Sequence, residues 1–112
     1  MNSHFVFGEL SVVGRVEVSS GSGWGSICNI GWDDADASAV CMDLGFKAGW
    51  AATLSSYNLP PGQAPFLYQG VQCDPQQTNL TGCCAYPANP QQCTSHEQDA
   101  AVYCSVEGAV YA

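Results

Sequence analysis

The sequence predicts a small α+β domain held together by disulfides, on three observations. Residues 11–18 follow the two-residue apolar period of a half-buried strand. Residues 34–44 carry a single apolar stripe at helical spacing, and seven cysteines occur within 112 residues. No repeat, heptad or low-complexity tract divides the chain, and Pro and Gly are scattered as turn punctuation, so one domain over 1–112 is expected.

The first strand is read from Val12, Val16 and Val18, which share a parity with Gly14 while Arg15 and Glu17 take the other. A Ser/Gly turn follows, and Trp24-Gly25-Ser26-Ile27-Cys28 reads as a second strand closing a hairpin. Ala37, Val40, Cys41 and Leu44 form the helical stripe. Asp33 or Asp34 is available as N-cap, Asp36 suits the positive end of the dipole, and Gly45 suits a left-handed stop. Residues 48–65 read as a long ordered loop, 66–73 as extended, 79–83 as a single helical turn, and 101–106 as a last strand with Cys104 inward.

Ten Asp and Glu stand against Arg15 and Lys47, for a formal net charge of −8. Two cations cannot neutralise a phosphate track, which excludes nucleic acid and an anionic membrane surface as partners. No apolar run approaches the roughly 20 residues that span a bilayer, so no direct membrane insertion is expected. Seven cysteines with few charges point to an oxidising, extracellular compartment. Met1-Asn2-Ser3-His4 lacks the basic start and apolar core of a secretory signal, and the expectation is a piece of a longer secreted chain.

Spacing alone cannot choose among the roughly one hundred ways of forming three bridges from seven cysteines. Several motifs in order nevertheless resemble one family. They are Gly14-Arg15-Val16-Glu17-Val18, Trp24-Gly25-Ser26-Ile27-Cys28, Trp32-Asp33-Asp34-Ala35-Asp36-Ala37 and Val40-Cys41-Met42-Asp43-Leu44-Gly45-Phe46. Downstream come the interval from Cys73 to Cys83 with Leu80 inside it, and His96 followed by Asp99-Ala100-Ala101-Val102-Tyr103-Cys104. Over residues 14–105 the chain resembles the scavenger receptor cysteine-rich (SRCR) domain, and Phe46, where eight-cysteine members carry a cysteine, makes it similar to the six-cysteine class, group A.

The resemblance implies a curved antiparallel sheet cradling one helix, with long loops, and the bridges Cys28 to Cys93, Cys41 to Cys104 and Cys73 to Cys83. The two long bridges would each restrict the unfolded chain by up to about 4 kcal/mol and the short one by up to about 2.7 kcal/mol. Cys84 is left over. A free thiol buried beside a disulfide, an interchain bridge, and exchange of register with Cys83 all remain open, and the domain is a monomer unless Cys84 pairs between chains.

Many SRCR domains bind through a divalent cation held by acids at positions that are Asn29, Ile30 and Gln77 here. Two amides and an aliphatic chain do not supply the charged oxygens that Ca²⁺ prefers, so the resemblance implies that this site is lost and no cofactor is expected. Asp33, Asp34, Asp36, Asp74, Glu97 and Asp99 could offer another cation site, although helix capping and solvated charge account for them more simply. Polyanion capture, also common in the family, would need more cations than Arg15 and Lys47.

What remains is an acidic surface with Trp50, Tyr57, Phe66, Tyr68 and Tyr86 near the loops, suited to a basic face of a protein partner or to a glycan. Trp24 and Trp32 are expected in the core. Ser95, His96, Glu97 and Asp99 can be written as nucleophile, base and acids, but neighbours in sequence do not make a triad, and a hydrolase using His96 is the remote alternative. His4 lies outside the resemblance. Cys93-Thr94-Ser95-His96 is an incomplete zinc pattern. Asn79-Leu80-Thr81 is a glycosylation sequon, with Leu80 expected inward and Asn79 on another face. The leading expectation is a non-catalytic extracellular recognition module of a larger receptor or secreted multidomain protein. Its alternative is a structural element of an extracellular assembly, crosslinked through Cys84.

Overall fold

The computed structural model describes residues 2–5, 11–21 and 23–106. In chain order the strands are β1 (Asn2–Phe5), β2 (Ser11–Arg15), β3 (Glu17–Ser19), β4 (Trp24–Ile27), β5 (Ala48–Ala52), β6 (Phe66–Gln72), β7 (Cys84–Pro87) and β8 (Ala101–Ser105). The helix α1 (Asp34–Asp43) lies between β4 and β5, and 3₁₀ turns occur at Ser55–Tyr57 and His96–Gln98. The α+β class expected from the residues is the class observed.

The strands divide between two four-stranded sheets, ordered β1-β2-β8-β5 and β3-β4-β6-β7, instead of forming one. Val16 marks the division. Its N–H donates to the Ala100 carbonyl at 2.9 Å, and its side chain is 1% exposed. The stretch read as one strand thus serves the first sheet as β2 and the second as β3. Among the described residues every strand pairing is antiparallel except β4 with β6, whose connection is long enough to include α1 and β5 and so permits a parallel return.

The ends of α1 are those its sequence encodes. Asp33 is the N-cap: its Oδ1 accepts from the Asp36 N–H at 3.1 Å, and Asp36 Oδ2 accepts from the Asp33 N–H at 2.9 Å, a reciprocal capping box. At the other end Gly45 takes φ +96°. Its N–H meets the Met42 carbonyl and the Phe46 N–H meets that of Cys41, the paired bonds of a Schellman stop. Leu44, expected in the buried stripe, is 47% exposed because it is the C-cap, past the last turn.

The helix packs on β5 and β8. Small residues allow the approach: a Cβ on Gly49 would lie 2.7 Å from the Cys41 Cβ and 2.9 Å from the Ala37 carbonyl oxygen. Val16, Ile27, Val40, Val71 and Val102 form the core with Cys41 and Cys104. Three disulfides join Cys28 to Cys93, Cys41 to Cys104 and Cys73 to Cys83. The second fastens α1 to β8, which lies between β2 and β5.

Residues 48–65 and 79–83 are among the stretches that differ from their sequence reading. Residues 48–65 include β5 and a 3₁₀ turn where a loop was expected; Ala-Gly-Trp-Ala-Ala shows no alternation, and its strand form comes from pairing with β8, Trp50 opposite Tyr103. Residues 79–83 contain no helical turn. There Asn79 Oδ1 accepts from the Thr81 N–H at 2.9 Å and the Leu80 carbonyl from the Cys83 N–H at 3.0 Å, which closes consecutive tight turns leading into β7.

Candidate functional site

The five aromatics expected on one recognition surface fall in three places. Trp50 and Tyr57 both lean on Tyr103, with ring centroids 6.2 and 5.8 Å from it. Phe66 stacks on His96 at 4.4 Å and 17°. Tyr68 and Tyr86 are exposed on β6 and β7. Trp24, expected in the core, is 60% exposed because it opens β4 at the far end of the hairpin, opposite Ser19. Trp32 is half-buried against the core and donates its indole N–H to the Ala101 carbonyl at 3.0 Å.

Trp24 instead belongs to a groove of about 640 Å³ that no sequence signal announced. The second sheet supplies Val18, Trp24, Ile27, Tyr68, Val71 and Ala85. The end of α1 adds Val40, Asp43 and the C-cap Leu44, and the turns before β7 add Leu80, Thr81 and Cys83. The groove follows from helix length. Ten residues span about 15 Å, and α1 lies along β5 and β8, touching the second sheet chiefly at β6. The remainder of that sheet face is left without a helix over it. Tyr86 is on the other side of β7 from Ala85, by strand alternation.

Arg15 is occupied internally: it donates to the Pro60 carbonyl and pairs with Glu17 at 3.4 Å, and its side chain is 11% exposed. Several acids serve as backbone acceptors. Asp34 Oδ1 takes the Ala51 N–H at 2.8 Å, and Asp36 Oδ1 takes the Cys73 N–H at 2.8 Å. Burial pushes the Asp36 carboxyl up from 3.8 to about 6, outweighing the two backbone donors that favour its charged form; neighbouring Asp33 adds to the rise.

Asp99, 1% exposed, accepts from the Gly62 N–H at 2.7 Å and lies 2.7 Å from His96 Nδ1. The Ser95 hydroxyl accepts from the Glu97 N–H at 3.2 Å, capping the 3₁₀ turn, and is not hydrogen-bonded to His96. At the positions of the family cation site, Gln77 Oε1 accepts from the Asp74 N–H at 2.7 Å, and the backbones of Asn29 and Ile30 bond to Gln98 and Gly70. Among the described residues, no group of three or more His, Cys, Asp or Glu side chains could hold a metal ion. Asn79 is exposed, while Leu80 packs against the core. Cys84 is an exposed free thiol, which corrects the buried reading: it begins β7, the outer strand of its sheet, whose residues are all exposed. His4 lies on β1.

Comparison with known proteins agrees with this geometry. The family profile described as "Scavenger receptor cysteine-rich domain" matches residues 6–105. The chain is 38% identical over 101 residues to the T-cell differentiation antigen CD6 of Mus musculus, covering 89% of this chain and 15% of that protein. It is 36% identical over 93 residues to lysyl oxidase homolog 3A of Danio rerio, covering 83% and 12% respectively. The chain therefore spans less than a sixth of these relatives. Among solved structures, the SRCR domain of mouse MARCO in its dimeric form superposes with a TM-score of 0.73 at 29% identity, covering 91% of this chain and 94% of that one. The third SRCR domain of murine neurotrypsin gives 0.70 at 32% identity, covering 88% of each.

Proposed function

This chain belongs to the scavenger receptor cysteine-rich family, and from that premise we propose that it is a non-catalytic extracellular recognition module of a larger receptor or secreted protein, with a protein as its ligand. SRCR domains occur in the extracellular parts of receptors and in secreted proteins, generally as ligand-recognition modules. Among the described residues, no helix is long and apolar enough to cross a membrane.

The observation that carries the choice of ligand is the groove, where Trp24, Leu44 and Tyr68 remain exposed. A contiguous apolar surface of this kind marks an interaction site. Charge supports the same reading. With Arg15 turned inward, Lys47 is the one Lys or Arg side chain exposed among the described residues, against a net charge of −8. Polyanions and nucleic acid find no cationic track here. Recognition independent of divalent cations is supported by Gln77, whose carbonyl is engaged by Asp74. A non-catalytic role is supported by Ser95, whose hydroxyl is occupied in capping.

Binding screens at several salt concentrations test the proposal. Basic proteins are expected to bind more tightly than DNA, sulfated glycans or neutral glycans, without change when a chelator is added. Equal or tighter affinity for sulfated polymers would overturn it. The exposed thiol of Cys84 favours a second reading, a crosslinked element of an assembly. Non-reducing mass analysis separates the two: a stable dimer lost in Cys84→Ser supports the assembly, and a monomer with one titratable thiol opposes it.

A further inference from the structure

We propose that the groove between the last turn of α1 and the face of β3-β4-β6-β7 docks a short segment of a partner protein in which Lys or Arg flanks an apolar anchor. This deepens the protein-ligand reading and rests on it.

The apolar half of the proposal comes from the exposure of the lining. Trp24 is 60% exposed, Leu44 47% and Tyr68 37%, and all three face one groove over the buried Ile27 and Val71. At about 640 Å³, it has the capacity of a small-ligand pocket and holds a few side chains, not an extended surface. Tryptophan and tyrosine are the residue types that concentrate binding energy when a partner covers them.

The basic half comes from the end of the helix. The C-terminus of an α-helix carries partial negative charge and favours a cation, yet α1 has no basic residue in its last turn and places Asp43 there. Asp43 is exposed, lines the groove, and makes no ion pair with any described residue. Across the groove stands Glu17, already paired with Arg15. Among the described residues, no Lys, Arg or His lines the space. A cation placed beside Asp43 would therefore meet a carboxylate and a helix end of the same sign, while the adjoining apolar side chain enters the groove.

A random library of peptides roughly twelve residues long, displayed on phage and selected on the intact chain, is the probe. Selected peptides are expected to place Lys or Arg beside Leu, Phe, Trp or Met, and to quench Trp24 fluorescence on binding. Trp24→Ser and Leu44→Ser should each weaken them about tenfold or more, and Asp43→Lys should do the same at low salt with the loss shrinking as salt rises. All three side chains are exposed, and far-UV circular dichroism checks that each variant is folded. Tyr86→Ser, on the opposite side of the sheet, should leave affinity unchanged.

Peptides without basic residues, peptides that bind every groove variant equally, or no enrichment at all would overturn the proposal. So would a dimer of this chain that dissociates in Trp24→Ser, which would assign the groove to a second copy. Protein ligands that bind all the variants with full affinity would overturn the groove alone and leave the wider recognition reading standing.

Discussion

His96 and Asp99 are joined at 2.7 Å, from Nδ1 to Oδ1, with the carboxylate buried and the imidazole 28% exposed. The other carboxylate oxygen holds the Gly62 N–H, so Asp99 fastens the loop before β6 to the turn before β8. Replacing it by Ala would leave a buried donor without an acceptor. We expect Asp99→Ala to cost about 2–3 kcal/mol in urea unfolding and Asp99→Asn less, because the amide oxygen still accepts one bond. A cost below 0.5 kcal/mol for Asp99→Ala would contradict this role.

Gly62 tests the same junction from the other side. A Cβ there would lie 2.8 Å from Asp99 Oδ2 and 3.3 Å from both Arg15 Nε and Ser26 Oγ. Asp99 is buried and held at both oxygens, so it has little freedom to give way. Gly62→Ala is expected to destabilise by about 1–3 kcal/mol, whereas an alanine at an open surface position would not.

Asp36 sets an unusual dependence on pH. Its carboxyl ionises at about 6 in the folded chain against 3.8 for the ordinary group, so the native state holds the extra proton between those values. The stability this contributes is complete below pH 3.8 and is lost as pH rises through about 6. Thermal melts should therefore show greater stability at pH 5 than at pH 7.5, in the same direction as relief of repulsion among the excess acids. In Asp36→Asn the difference should shrink. If the wild-type midpoint falls between pH 7.5 and 5, burial does not govern this group.

Cys84 and the bridged cysteines should separate cleanly. With its thiol exposed and unpaired, Cys84→Ser is expected to change stability by no more than about 0.5 kcal/mol and to abolish the one thiol that reacts in the folded chain. Replacing Cys41 and Cys104 together removes a closure over 63 residues and should cost up to about 4 kcal/mol. The measurement is chemical unfolding alongside thiol counting by a chromogenic disulfide.

Asn79 is exposed at a tight turn, with its side chain folded onto the Thr81 N–H. Secretion from eukaryotic cells should add a glycan to it, seen as a mass removed by peptide N-glycosidase and absent in Asn79→Gln. An unmodified secreted product would refute the assignment.

Local signals in the sequence were informative where the chain makes its own structure. Asp33, Asp36 and Gly45 mark the helix because capping and the left-handed stop are settled within a few residues. The valine alternation marks β2 and β3 because each valine has one face to choose. Elements made by distant partners were not visible. β5 is drawn from alanines and a glycine whose fit depends on β8 and α1, and β7 is exposed throughout, so neither shows a pattern. The groove was hidden for a related reason. It arises from the length of α1 relative to two sheets, and Leu44 continues the buried stripe in sequence although the helix has already ended.

The overlapping bridges also decide how the chain bears mechanical load. Cys28–Cys93 and Cys41–Cys104 reduce the path between the two ends to covalent short cuts. When the ends are pulled, the shorter stretches 28–41 and 93–104 tighten first, and the intervening 41–93 can never be drawn taut. The strands β5, β6 and β7 lie in that sheltered span, so under tension β6 and β7 of the second sheet stay unloaded while the flanks extend.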